Sequence, residues 1–311
     1  MFQLLFRQDL APEQAARSAS RAIPTLRGKR FHQNGLRKTL YIKQSCAVRG
    51  LPWLRSALRA DFPLPRTVDT IEGSAGMWSR VLLQVARMQR KVIAEMLDDD
   101  EGSPAEVAAS LIDLKHINHW FGGTRTTIDL LGRVACDANS RQLSLLEVGC
   151  GAGDVPFAAR RVLARLGTEL SVTLLDRMWS HLPANGTAAV SGDALKLPFC
   201  DDAFDVVSCS LLAHHFAPDE LQHFACEALR VCRRAVLIND LIRSRLHLAL
   251  VYAGLPLFRS PITWHDAPAS VRRAYTRNEM RHMLEGLSVR KIEISRHCLY
   301  RMGVLLWKGG N

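Results

Sequence analysis

Leu145-Leu146-Glu147-Val148-Gly149-Cys150-Gly151-Ala152-Gly153-Asp154 is the stretch on which the reading of this chain turns. An apolar run ends in an acid, turns through three alternating glycines and enters a helix-like segment, Pro156–Leu166. Glycine permits backbone conformations closed to other residues and lets a ligand approach the chain closely. A glycine loop that opens a helix also points free N–H groups at whatever is bound there. A dinucleotide fingerprint would read G-x-G-x-x-G. Here the third glycine comes one residue early, and the carboxylate of Glu147 would face a pyrophosphate unfavourably. An acid in that position suits a ligand that carries positive charge. A purely structural turn is the plain alternative.

Working outward, Asp176 closes the next apolar run (Ser171–Asp176) at a position able to accept from ribose hydroxyls, a feature shared with nicotinamide enzymes. Gly192-Asp193-Ala194 follows, with Asp193 placed to accept from an adenine amino group and the next backbone N–H to reach a ring nitrogen. Taken singly, each acid reads as a cap or a surface carboxylate; their order along the chain gives them meaning together. The apolar runs 143–148, 170–175, 204–208 and 235–238 alternate with helical lengths, which predicts βαβ units and a parallel sheet. Runs 288–294 and 302–307 are joined by a short polar link and predict a terminal antiparallel hairpin. Ser103-Pro104-Ala105-Glu106 and Thr276-Arg277-Asn278-Glu279 are capping boxes that open helices. A helix is expected over 124–138, and the spacing of Val81, Leu82, Val85, Met88, Val92 and Met96 predicts another over 78–96, ended by a solvated acidic turn at Asp98–Glu101.

The chain has 311 residues, 48% of them hydrophobic and 23% charged, which excludes a disordered chain, a collagen-like repeat and a coiled-coil rod. Its net charge of +11 is uneven: residues 1–60 hold 12 Lys and Arg against Asp9 and Glu13, leaving the remainder near neutral. The eight cysteines form no CxxC pair, so they read as reduced thiols, and no metal site is expected from them. No apolar run reaches the roughly 20 residues of a membrane helix, and no secretory signal is read, so the expected location is the cytoplasm.

With these residues in hand, the chain resembles the class I S-adenosylmethionine-dependent methyltransferases, in the branch of ubiquinone-biosynthesis-type and small-molecule enzymes. The resemblance covers about 139–311. His214-His215-Phe216, Ile238–Ser244 and Ser270–Thr276 add a closer similarity to a bacterial group linked to polyketide-type pathways. The fold this implies is α/β and Rossmann-like: a seven-stranded, mostly parallel sheet with one antiparallel strand and helices on both faces. It implies S-adenosyl-L-methionine as cofactor, with Glu147, Gly149, Cys150, Gly151 and Gly153 around its methionine part, Asp176 and Arg177 at the ribose, and Asp193 and Ala194 at adenine. Ser210 and Leu211 would line the methyl-transfer site. The expected organisation is a basic, irregular extension (1–76), a helical cap (77–138) and the cofactor-binding domain (139–311), with 241–275 covering the acceptor.

A hydroxyl acceptor benefits from a general base, and His214, His215 and His265 are the candidates; packing or loop roles are the alternative for each. Arg243 and Arg245 could face an acidic acceptor group, but a solvated helix face is the expectation for both. The expected activity is methyl transfer to a hydroxyl of a small, partly apolar metabolite. An RNA methyltransferase or RNA-binding protein using the basic segment 1–60 is the second reading, although no Asn/Asp-Pro-Pro-Tyr/Phe-like signature follows the fourth strand.

Overall fold

The computed structural model describes residues 88–183 and 186–309, so the basic extension and the start of the helix expected over 78–96 lie outside the described residues. Two helices come first, α1 (Pro104–Trp120) and α2 (Gly123–Ala138). Then follow β1 (Gln142–Val148), α3 (Asp154–Arg165), β2 (Glu169–Asp176), β3 (Ala189–Ser191), β4 (Phe204–Ser210) and α4 (Pro218–Val231). The chain finishes with β5 (Cys232–Leu241), α5 (Arg245–Gly254), α6 (Pro261–Arg273), α7 (Arg277–Leu284), β6 (Val289–Arg296) and β7 (Arg301–Lys308). The strands form one sheet in the order β3-β2-β1-β4-β5-β7-β6. β1 to β5 run parallel, and β7 is antiparallel to both β5 and β6. The order reverses between β1 and β4, and ligands of open α/β sheets bind outside the carboxyl ends of strands at such a switch point.

Both faces of the sheet are covered, as the unbroken apolar runs of β1, β4 and β5 demand. On one face Leu130, Leu131 and Val134 of α2 and Leu163 of α3 pack on Leu143, Leu145 and Leu237. On the other, Leu221, Phe224 and Ala228 of α4 with Met280 and Leu284 of α7 pack on Leu146, Val207, Val236 and Ile238. Helix α2 is therefore one of the layers of the sheet, not a separate cap. Both capping boxes form, with Ser103 accepting from Glu106 N–H and Thr276 accepting from Glu279 N–H.

The helix expected up to Met96 is absent from residues 88–95; only Met96–Asp99 make a short 3-10 turn. Tertiary partners explain the difference. The guanidinium of Arg90 donates to the carbonyls of Arg273, His214 and Phe216, and Lys91 N–H donates to Arg272 O. Val92, which the helical spacing would bury, is 69% exposed. The segment 88–100 is thus a strap held across the body. Its acidic end is not solvated as expected: Asp98 accepts from His215, Asp99 from Arg177, and Asp100 from Ser180 and His181. Local patterning cannot show such pairing, because each partner is about 80 or more residues away.

Candidate active site

Three glycines shape the turn after β1. Gly149, Gly151 and Gly153 have φ of +63°, +50° and +74°, in the left-handed region that costs an L-residue roughly 1–2 kcal/mol. Space is short as well: a Cβ on Gly153 would stand 2.8 Å from Phe157 and 3.0 Å from Leu174. The loop is tied to the end of β2, where Asp176 Oδ2 accepts from Gly151 N–H at 2.8 Å and Oδ1 from Met178 N–H at 3.0 Å.

One cavity of about 610 Å³ opens beside this loop. Glu147, Gly149, Cys150, Gly151, Asp176, Arg177, Asp193, Ala194, Ser210 and Leu211 all line it, so the residues placed at the cofactor by sequence meet in one space. Gly153 lies just behind, in the N-cap position of α3. The guanidinium of Arg177 is engaged by Asp98 O and Asp99 of the strap, and Asp193 Oδ1 accepts from Leu195 N–H. Leu211 stands at φ +59°, an uncommon conformation for a residue with a side chain; its N–H donates to Asn239 O.

Glu147 is 1% exposed, and its Oε2 and the hydroxyl of Ser210 are both buried without a hydrogen-bond partner. Burial drives its carboxyl up to about 7, only partly offset by the nearby hydroxyls of Ser208 and Ser210. A buried acid with an idle oxygen beside a glycine loop is unsuited to a pyrophosphate and suited to a cationic group. This disfavours the nicotinamide reading.

The histidines separate. His214 is buried, its N–H and Nδ1 both bonded to Asp240, with Nε2 facing Glu95 Oε1 at 3.4 Å. Burial alone would lower its pKa, but Asp240 and Glu95 raise it overall. His215 places Nδ1 2.9 Å from Asp98 and Nε2 3.7 Å from Glu95. Both rings line the cavity. His265 does not; half exposed on α6, it is bonded to its neighbour Asp266. Asp266 instead holds the strap, accepting from the N–H groups of Met96 and Leu97.

Beyond the cofactor half, the walls are Leu111, Leu114 and Ile117 of α1, Phe121 just after it, Val251 of α5 and Tyr300. Arg301 joins them: 1% exposed, it donates through Nη2 to Asn118 at 3.0 Å, while Nε and Nη1 have no partner. Sequence reading passed over Arg301 as one strand residue among many and weighed Arg243 instead. Arg243 is not solvated; it is buried and donates to Met88 O, Ala274 O and Glu279. Glu95 was missed too, since its distance from the glycine loop in sequence hides its place in the cavity.

The strand order, the glycine loop and the acids at successive strand ends together define the class I methyltransferase fold. Residues 146–238 match the family model described as a methyltransferase domain. The chain is 33% identical over 86 residues, 26% of its length, to the uncharacterized methyltransferase YcgJ of Bacillus subtilis (strain 168), of which the match spans about a third. Among solved structures it is similar to a SAM dependent methyltransferase from Aquifex aeolicus (14% identity, 67% of this chain and 100% of that one, TM-score 0.46). It is likewise similar to human N-acetylserotonin methyltransferase (14% identity, 77% and 68%, TM-score 0.48). S-adenosylmethionine is the cofactor of the family, and the idle Oε2 of Glu147 and hydroxyl of Ser210 fit a ligand bearing a cationic amino-acid end. Among the described residues no helix is long and apolar enough to cross a membrane.

The titration of Glu147 has a direct consequence. An ammonium group beside it favours the carboxylate, so binding below pH 7 must first remove a proton. Affinity for S-adenosylhomocysteine is expected to rise between pH 6 and 8 and to fall by up to about tenfold per unit below 7. Calorimetric titration from pH 5.5 to 8.5 checks this. Glu147→Gln should bind more weakly with a flat profile, and an unchanged profile in that variant would assign the dependence elsewhere.

Proposed function

We propose that this protein transfers a methyl group to a hydroxyl of a small, partly apolar metabolite that also carries an anionic group. The observation that supports this reading is the single cavity that runs from Glu147 and the glycine loop, past Ser210 and Leu211, to apolar walls ending at Arg301. Bound in the first half, S-adenosylmethionine supplies an electrophilic methyl whose C–S bond breaks as the acceptor's O–C bond forms, the electron pair staying on sulfur. The protein's share is alignment and exclusion of water, the main requirements of an in-line displacement. Asp176 fixes the loop and Asp193 would meet the adenine end, while the strap 88–100 and α1 wall the space. The acceptor's proton is drawn towards the pair formed by His215 and Glu95. The idle nitrogens of Arg301 offer charge-assisted hydrogen bonds to a carboxylate or a similar anion.

Incubating the purified chain with S-adenosylmethionine and a panel of hydroxylated aromatic and aliphatic acids, then following S-adenosylhomocysteine, tests the reading. Turnover is expected with an acid and is expected to fall for its methyl ester. No binding of S-adenosylhomocysteine up to millimolar concentration would remove the methyltransferase reading altogether. Binding without turnover on any hydroxyl, together with turnover on amines, would move the acceptor atom to nitrogen. Nothing among the described residues favours RNA as the acceptor.

A further inference from the structure

Glu95, His214 and His215 bring three ligand-type atoms within 4.8 Å of one another at the wall of the cavity. Two of these atoms, Glu95 Oε1 and His214 Nε2, are buried and without hydrogen-bond partners. They face each other at 3.4 Å, and His215 Nε2 stands 3.7 Å from the other oxygen of Glu95. Ligands held about 2.1 Å from a metal at tetrahedral angles are themselves about 3.4 Å apart. The two separations from Glu95 are near that value, and all three ligand atoms fall within 4.8 Å, close enough to converge on a shared ion.

The surroundings are those of a metal centre as well. Metal-bound imidazoles commonly donate their second nitrogen to a carboxylate, which orients the ring and fixes its tautomer. His214 does so to Asp240 at 2.7 Å and His215 to Asp98 at 2.9 Å, so both Nε2 atoms turn towards Glu95. Ser270 donates to Glu95 Oε2 at 2.9 Å and steadies that carboxylate. Three acids, Glu95, Asp98 and Asp240, pair with the two rings. Arg273 stands against them, 3.5 Å from Asp98 and 3.9 Å from Glu95. The balance is negative and leaves room for a dication.

We infer that Glu95, His214 and His215 form a binding site for a divalent first-row transition ion, with open positions turned towards the acceptor half of the cavity. Two imidazoles disfavour magnesium and calcium, which prefer oxygen, and suit zinc, iron(II), cobalt(II) or manganese(II). A proton and a cation compete for the same Nε2, so the ion displaces whatever proton the pair shares. Metal binding does not depend on the methyl-transfer reading. Only the further step rests on it: the ion would take His215 and Glu95 out of the proton-accepting role they have in the metal-free site, and an acceptor with two neighbouring oxygens would ligate it through its open positions and lose its hydroxyl proton to solvent.

The probe is cobalt(II) or zinc alone, added to chelator-treated full-length chain and followed by calorimetry, by metal analysis after gel filtration and by the visible spectrum of the cobalt form. One ion per chain is expected, with micromolar or tighter affinity. His214→Ala with His215→Ala should lose it while S-adenosylhomocysteine still binds. Asp240→Asn, which leaves all three ligands in place, should weaken it by about 10- to 100-fold. If the double variant does not fold, Glu95→Gln replaces it, with the same loss expected. Absence of stoichiometric binding overturns the site. Undiminished binding in both the ligand variant and Asp240→Asn overturns it too, by placing the ion on other histidines. Loss of S-adenosylhomocysteine binding by the unaltered chain would instead strike the methyltransferase reading and leave the metal result standing.

Discussion

Gly153→Val is expected to abolish measurable binding of S-adenosylhomocysteine, a loss of at least a hundredfold. The left-handed φ of +74° costs any L-residue roughly 1–2 kcal/mol, and a β-branched one more. To that is added a Cβ 2.8 Å from Phe157 and 3.0 Å from Leu174, neither of which is a free end in solvent. The turn must shift, and with it Gly151, whose N–H is bonded to Asp176. That bond sets both the loop and the carboxylate, so its loss is expected to reach the ligand. Calorimetric titration with the circular dichroism melt of the same sample separates local from global damage. Gly132→Ala is the control: nothing lies within 4 Å of its added Cβ, and a helix interior gains about 0.5–1 kcal/mol from the change. A Gly153→Val chain that binds normally would mean that the loop does not cradle the ligand.

The second large effect pulls stability and function apart. Arg301 is 1% exposed, and burial lowers its pKa to about 10. Each buried N–H without a partner costs about 1–3 kcal/mol, and two of its nitrogens are in that state. Arg301→Met keeps most of the side-chain bulk and removes the charge. The melting temperature is expected to rise by roughly 2–4 °C per kcal/mol recovered. KM for an anionic acceptor should rise about 100-fold, since charge-assisted bonds of about 2–3 kcal/mol are lost and each 1.4 kcal/mol is a factor of ten. The dissociation constant of S-adenosylhomocysteine should not move. Should the variant melt lower and keep its KM, Arg301 would be a packing residue and the acceptor would need no anion.

What could be read in the sequence follows the range of the interactions concerned. Six of the strands, both capping boxes and the glycine loop depend on neighbours a few residues apart and stand where the pattern puts them; the three-residue β3 is too short to show a pattern. The acids expected at the cofactor were legible because each lies at or just beyond the end of a strand, and parallel strands bring their ends to one edge. His214 and His215 were legible for the same reason, following β4 directly. Glu95 and Arg301 were not, because only the closed sheet and the strap bring them to the cavity. The strap itself misled the reading. Its apolar spacing imitates a helix, while its backbone is claimed by Arg272, Asp266 and the side chain of Arg177. His265 misled for another reason: the segment that carries it does line the cavity through Asp266, but its own ring lies outside.

The family-matched stretch, 146–238, contributes the cofactor half and the paired histidines, whereas the walls beyond them come from chain on either side: the strap and α1 before it, α5, α6 and Arg301 after it. The two halves of one cavity are therefore encoded in separable blocks of sequence. Donor chemistry can be inherited unchanged while the flanking blocks diverge, so a new acceptor requires no alteration to the part that handles the methyl group.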